Sequence, residues 1–262
     1  MKKLGFIGLG NMGRAIASGL ITGGAIAGND VYGYAPTWDK LCAYAQETGI
    51  HACKSALEVV GNSDTILIAV KPYVIEGVLA EIKDALKGKA LISVALGYDY
   101  ARLSSLLDDS TRIQFIMPNT PAMVGSGVML FEKTNSLEAE EHELLLKLFA
   151  TLGLVEELPS HLMGIGGAVS GCGPAFCALV IEALADAGVK YGLPRATAYR
   201  LASKTLSGTG DMQLKTGSHP GVIKDGVCSP GGTTIRGVEA LERAGLRAAM
   251  LDAVQAVMEK KA

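Results

Sequence analysis

The 262-residue sequence predicts an α/β chain in two parts: a doubly wound, mostly parallel sheet over residues 1–158, then an all-helical domain over residues 159–262. Three observations carry that expectation. In the first part short apolar runs alternate with amphipathic stretches, and several runs are apolar throughout, as strands buried on both faces are. After Leu158-Pro159 the strand-like runs stop and helical spacing takes over. The first apolar run leads straight into Gly8-x-Gly10-x-x-Gly13, a tight turn from strand to helix.

In chain order, strands are expected at 4–7, 30–34, 65–70, 90–94, 112–117, 127–131 and 154–157. The run 127–131 is the more alternating one, which suits antiparallel pairing at an edge. Helices are expected at 11–22, 39–48, 55–60, 73–86, 100–107 and 136–151, and in the second part at 174–188, 194–214, 232–244 and 246–260. Pro174 and Pro194 suit first-turn positions, and Gly188 and Gly245 suit helix stops. The stretch from Gly164 to Ile181 is long and apolar enough for a membrane span, with Ser170 its only conventional polar side chain. Gly164, Gly166, Gly167, Gly171, Gly173 and Pro174 argue against one continuous helix there, and Glu182 and Asp186 follow at once. The expectation is a glycine-rich loop leading into a buried helix, with no membrane as partner.

Composition narrows the function classes. A formal net charge of −2 gives no basic field, so nucleic acid is not an expected partner. Charged residues make up 19% of the chain, below the roughly 25% of a typical soluble protein. So apolar a surface needs covering. The helix 174–188 is apolar nearly all round, and the second part therefore reads as a dimerisation domain. The five cysteines form no Cys-x-x-Cys and the four histidines are scattered, so no metal site is expected. Met1-Lys2-Lys3 leads at once into the first strand without a cleavable apolar segment, and the expected location is cytoplasmic.

The turn Gly8-Leu9-Gly10-Asn11-Met12-Gly13 points to a dinucleotide in a Rossmann-type domain. Gly8 permits the turn out of the strand. Gly10 has no side chain, so a pyrophosphate can approach the backbone. Gly13 lets the next helix pack close, and the helix N-terminus offers N–H donors and a partial positive charge. A carboxylate closing the second strand would hold the ribose 2′-hydroxyl and select NAD. The residues there are Gly33-Tyr34-Ala35-Pro36-Thr37, none acidic, with Thr37 and Lys40 as nearby donors. NADPH is therefore favoured. NADH stays open, because no arginine in this stretch clamps a 2′-phosphate. Ala69-Val70-Lys71-Pro72 and Ser93-Val94-Ala95-Leu96-Gly97 end two further strands and belong to the same crevice, although Lys71 equally suits an ordinary solvated lysine.

A second segment, Ser229-Pro230-Gly231-Gly232-Thr233-Thr234, enters a helix with Glu239 and Arg243 on its polar side. Glycines and hydroxyls at a helix N-terminus suit a small carboxylate or phosphate, or else an N-capping Thr after a flexible turn. Ser170-Gly171-Cys172-Gly173-Pro174 is a weaker case of the same kind, and Met117-Pro118-Asn119-Thr120-Pro121 closes another strand. Neither glycine-rich segment carries a His, and no Ser/His/Asp ordering stands out. That suits a reduction in which the substrate brings its own proton, such as hydride addition to a protonated imine.

These motifs, with Gly192-Leu193-Pro194, resemble end to end those of the pyrroline-5-carboxylate reductases, which catalyse the last step of proline biosynthesis. Ser229 to Thr234 is the most specific match, and the glycine turn discriminates least. The resemblance implies a C-terminal helical domain that interlocks with a second subunit, giving a homodimer at least, with assembly to a decamer left open. It implies hydride transfer from NAD(P)H to the C=N carbon of L-1-pyrroline-5-carboxylate. Carried onto this chain, Thr234 bonds the ring nitrogen as the catalytic residue, and Ser229, Gly232 and Thr233 hold the carboxylate. The glycine turn, Ala35, Ala69, Val70, Lys71, Pro72 and Ala95 meet the cofactor. Some relatives carry Asn where this chain has Ala56, a polar residue at Gly226, and Glu at Gly217, so those contacts do not transfer.

The rival enzyme reading is a 3-hydroxyacid dehydrogenase of the 6-phosphogluconate dehydrogenase type, whose glycine turn is similar. It needs a Lys and a nearby Asn at the start of the long central helix, where Pro174-Ala175-Phe176-Cys177-Ala178-Leu179-Val180-Ile181 has neither. A non-catalytic NADP-binding sensor would have no need of Ser229 to Thr234.

Overall fold

A computed structural model describes residues 3–259. Met1-Lys2 and the expected helix end at Lys260 lie outside them. Residues up to Gly171 form one compact unit, and those from Cys172 onward a second. The first unit carries eight strands: β1 (Leu4–Ile7), β2 (Val31–Tyr34), β3 (His51–Ala52), β4 (Thr65–Ile68), β5 (Ala90–Ser93), β6 (Arg112–Pro118), β7 (Gly127–Glu132) and β8 (Gly153–Leu158). They lie in one sheet in the order β3-β2-β1-β4-β5-β6-β7-β8. Every pair is parallel except β6–β7. The run expected to be antiparallel at an edge is thus antiparallel but internal, because β8 continues the sheet beyond it.

The strands are flanked by α1 (Asn11–Thr22), α2 (Trp38–Thr48), α3 (Ala56–Asn62), α4 (Pro72–Ile82), α5 (Tyr100–Leu106) and α6 (Ala139–Ala150). Alternate strand residues build two apolar layers. Leu4, Phe6, Val31, Leu67, Ile92 and Ile116 pack with Ile16 and Leu20 of α1, Leu41 of α2 and Phe149 of α6. Ile7, Ile66, Ile68, Leu91 and Ile113 pack with Val59 of α3, Ile75 and Leu79 of α4 and Leu103 of α5. Burial on both faces is why these strands are apolar at most positions, with Thr65, Ser93 and Gln114 among the few buried polar exceptions.

The glycine-rich stretch after β8 is a helix rather than a loop: α7 (Ser160–Ser170). Its glycines serve close approach. A Cβ on Gly166 would lie 2.6 Å from Leu158 Cδ1, and one on Gly167 only 2.2 Å from Met117 Sδ. Met163 completes a cluster with Phe115 and Leu130. Asn119 Nδ2 donates to the Ser170 carbonyl at 2.9 Å, and its Oδ1 accepts from Val128 N at 2.8 Å. α7 packs within the first compact unit, which runs to Gly171.

The second unit is all helical: α8 (Gly173–Lys190), α9 (Arg195–Thr216), α10 (Pro220–Val227), α11 (Thr233–Arg243) and α12 (Leu246–Met258). α8 does not stop at Gly188. A Cβ there would meet Leu193 Cδ1 at 3.0 Å, so the glycine serves packing of the returning chain. Gly245, at φ +78, does separate α11 from α12. Ala185, Ala198 and Ala202 join α8 to α9 through small side chains. The expected burial of α8 is not met within one chain. Leu179 is 65% exposed and Leu184 50%, alongside Leu201 of α9 at 54% and Leu251 of α12 at 71%. Ser160–Lys190 is long and apolar enough to cross a membrane by length and composition, and it is divided at Gly171-Cys172 into α7 and α8.

Candidate cofactor edge and substrate turn

The carboxyl ends of four strands line up. Ile7 is in register with Tyr34 and with Ile68, and Ile68 with Ser93. One step further along each strand come Gly8, Ala35, Ala69 and Val94. Gly8 N donates to the Tyr34 carbonyl at 2.9 Å, Ala69 N to Ile7 at 2.8 Å and Val94 N to Ile68 at 3.1 Å. The strand order runs outward in opposite directions from β1 and β4, so Gly8 and Ala69-Val70 flank the switch point where ligands of such sheets bind.

The glycines of the turn differ in what they make room for. Gly8 has φ +97, and a Cβ there would lie 2.8 Å from the Ala69 carbonyl carbon. A Cβ on Gly13 would lie 2.1 Å from the Gly8 carbonyl oxygen. Both glycines are required by the protein itself. A Cβ on Gly10 would meet nothing within 4 Å. Gly10 is the N-cap of α1, no side chain caps that end, and the first helical turn holds no acid. The amides of Asn11, Met12 and Gly13 are therefore without helical acceptors, beside a surface kept clear by Gly10. This donor set fits a pyrophosphate.

The other expected cofactor residues fall on the same edge with different exposure. Leu9 is buried in the first apolar layer, where Met12, Ala35 and Ala69 pack partly buried, so these residues offer main chain. Lys71 is exposed, precedes Pro72 as the N-cap of α4, and accepts from Val74 N at 2.9 Å through its carbonyl. Ala95 is buried in the second layer, so its side chain faces away from a ligand; its amide donates to Ser93 Oγ at 3.3 Å. The loop that follows is braced by Arg102, which donates to the Gly97 carbonyl at 3.3 Å and to Glu76 at 2.7 Å. Tyr98 donates to the same Glu76 carboxylate at 3.0 Å. The Arg102 hydrogen bond holds the Glu76 carboxyl below its usual range, and burial first, then the bond to Glu76, raises the Tyr98 phenol.

A cavity of about 600 Å³ opens at the opposite, amino end of the sheet, beside Thr65, Ala90 and Arg112. Its cations are engaged internally. Arg112 grips Glu141 at 2.6 and 2.8 Å, and Lys89 donates to the Ser63 carbonyl at 2.7 Å. The switch point lies at the carboxyl ends of the strands, at the other end of the sheet from this cavity.

In the second unit, Ser229 to Thr234 links α10, which the sequence did not announce, to α11. Gly231 has φ +69, and Gly232 is the N-cap of α11, with no side-chain cap bond. Gly232 N donates to the Ser229 carbonyl at 3.0 Å. A Cβ on Gly232 would lie 2.5 Å from Ser229 Oγ, so glycine is what lets that hydroxyl fold over the turn. Ser229, Thr233 and Thr234 are exposed. Three hydroxyls and the uncapped amides of an eleven-residue helix thus share one turn. On the polar side of α11, Arg243 pairs with Glu239, and Glu242 pairs with Arg247 at 2.7 Å. Among the described residues no cluster of His, Cys, Asp or Glu is grouped to hold a metal ion.

Comparison with known proteins gives the family of the chain. Residues 160–262 match the family model for pyrroline-5-carboxylate reductase dimerisation, and residues 3–97 match that for NADP oxidoreductase, coenzyme F420-dependent. The chain is 44% identical to the pyrroline-5-carboxylate reductase of Treponema pallidum, covering 97% of this chain and 98% of the relative. It is 42% identical to that of Escherichia coli, covering 99% and 97%. The crystal structure of Plasmodium falciparum pyrroline carboxylate reductase with NADP bound superposes with a TM-score of 0.87 at 34% identity, covering 98% of this chain and 96% of that one. The enzyme from Coxiella burnetii superposes with a TM-score of 0.88 at 32% identity, with the same coverage. The chain belongs to the pyrroline-5-carboxylate reductase family.

Proposed function

We propose that this chain reduces L-1-pyrroline-5-carboxylate to L-proline with NAD(P)H, closing proline biosynthesis, and that NADPH is its preferred cofactor. The observation that carries the reading is the turn at Ser229 to Thr234. It combines uncapped amides, three hydroxyls and a glycine that cannot be replaced without striking Ser229. That chemistry suits a small carboxylate attached to a ring with one polar atom. NADPH, when bound, supplies the hydride. The amides of the turn, with Ser229 and Thr233, hold the substrate carboxylate. The Thr234 hydroxyl oxygen accepts from the protonated ring nitrogen and fixes the ring at its other end. Because the imine takes its proton before reduction, no side chain must act as a strong acid. Fixing both ends leaves the imine carbon one orientation, and such positioning supplies several kcal/mol of the barrier.

The preference for NADPH is supported by the absence of an acid at the end of β2, where Ala35, Pro36 and Thr37 follow Tyr34. The exposed apolar side chains of α8, α9 and α12 support a homodimer at least, and a decamer is the larger assembly to look for. The cytoplasm is the expected compartment. The test is turnover with NADPH and pyrroline-5-carboxylate, with proline measured as product. Substrate-dependent loss of NADPH with equimolar proline supports the proposal. Cofactor binding without proline formation overturns it.

A further inference from the structure

α1 contributes to the cofactor edge a side chain that the glycine motif does not include. Arg14 donates from Nε to the Leu9 carbonyl at 3.0 Å and from Nη2 to the Lys40 carbonyl at 3.0 Å. Its guanidinium lies 4.9 Å from the centre of the Tyr44 ring, and the Tyr44 hydroxyl is 2.7 Å from Ser18 Oγ. Leu9 belongs to the glycine turn and Lys40 to the first turn of α2. One planar fork therefore ties together the two segments that flank the end of β2. Arg102, Arg112, Arg195, Arg243 and Arg247 each hold a carboxylate, but among the described residues Arg14 holds none. Its acceptors are neutral carbonyls. They fix the group without cancelling its charge, and N–H donors are left over.

The neighbouring turn has donors of its own. Thr37 is the N-cap of α2 and makes no side-chain cap bond. The first intrahelical bond runs from Leu41 N to the Thr37 carbonyl at 3.1 Å, so the amides of Trp38, Asp39 and Lys40 have no helical acceptor. Asp39 is the one carboxylate of that turn, and it is exposed. In a sheet of this kind the end of β2 is where the adenosine ribose meets the protein, and a nearby Arg is the usual means of accommodating a 2′-phosphate. Resting on the NADPH reading above, we propose that Arg14 determines cofactor specificity: held by two main-chain carbonyls, it sets the β2–α2 turn and presents a positive charge to the 2′-phosphate.

The test compares Arg14→Gln and Arg14→Lys with the wild type by calorimetric binding of NADPH, NADH, 2′,5′-ADP and 5′-AMP, with the melting temperature of each variant recorded. Arg14→Gln should weaken NADPH and 2′,5′-ADP about tenfold or more, and leave NADH and 5′-AMP within about twofold. Arg14→Lys keeps the charge without the fork and should recover part of the loss. Equal weakening of NADPH and NADH would make Arg14 a mere brace for the glycine turn and overturn the inference, as would unchanged NADPH binding. If the wild type itself binds 2′,5′-ADP no better than 5′-AMP, the NADPH preference fails first. A preference that survives Arg14→Gln removes this inference alone.

Discussion

Gly10 and Gly13 share one turn, and replacing each by alanine separates the needs of the ligand from those of the fold. At Gly13 the new methyl carbon would sit 2.1 Å from the Gly8 carbonyl oxygen, more than an ångström inside ordinary contact. α1 would have to move off β1, and overpacking of this kind costs about 1–3 kcal/mol or more when backbone must shift. At Gly10 the methyl meets no protein atom within 4 Å, and φ is −79, a conformation open to any residue. The fold pays only the weaker N-cap, about 0.5–1 kcal/mol, which lowers the melting temperature by about 1–4 °C for a unit of this size. The same methyl stands on the surface a pyrophosphate must approach. Losing one charge-assisted bond there costs about 1.5–3 kcal/mol, or about 10- to 150-fold in Kd. Gly10→Ala should therefore melt near the wild type and bind NADPH at least tenfold more weakly by fluorescence titration. Gly13→Ala should lose stability first. Unchanged NADPH affinity in a folded Gly10→Ala variant would refute the assignment of this edge.

Three further outcomes are expected. Thr234→Val should lower kcat by about 10- to 100-fold, the loss of one placed hydrogen bond, with NADPH affinity unchanged; a wild-type kcat would move the substrate site elsewhere. Ala35→Asp should shift the ratio of kcat/KM toward NADH, because a carboxylate repels a 2′-phosphate; melting must be recorded too, since Ala35 packs partly against the core. Arg112→Gln removes the bidentate grip on Glu141, whose carboxyl Arg112 holds below its usual range. A depressed carboxylate stabilises the fold above its unfolded pKa, and the gain is lost as pH falls through the folded value. The stability gap between wild type and variant, about 1 kcal/mol at neutral pH for a partly exposed pair, should close in acid; a gap of constant size across the titration contradicts this.

Much of the first unit was legible because strands buried on both faces leave continuous apolar runs, and because the glycine turn has a mechanism tied to its spacing. β3 escaped notice: it is two residues long, and His51 and Ala52 carry no strand signal. α7 was misread because glycine normally weakens helices. Here Gly166 and Gly167 are needed for contact with Leu158 and Met117, a tertiary demand no local pattern reveals. Gly188 misled in the same way. The placement of Arg14 beside the β2–α2 turn is not legible in the sequence, where residue 14 stands about twenty positions before that turn. From α1 the side chain reaches the Lys40 carbonyl in the first turn of α2, across a gap in sequence that only the fold closes. The apolar character of α8 read in the sequence as a dimer seam, and among the described residues Leu179 and Leu184 stay exposed, as such a seam requires.

Hydride transfer to the imine carbon is tested most directly with NADPH deuterated at the transferring position of the nicotinamide. Reduction of pyrroline-5-carboxylate by this protein should give proline with one deuterium on the ring carbon next to nitrogen and remote from the carboxylate, and none elsewhere. Proline formed without that deuterium, or cofactor oxidised without proline, would contradict the mechanism.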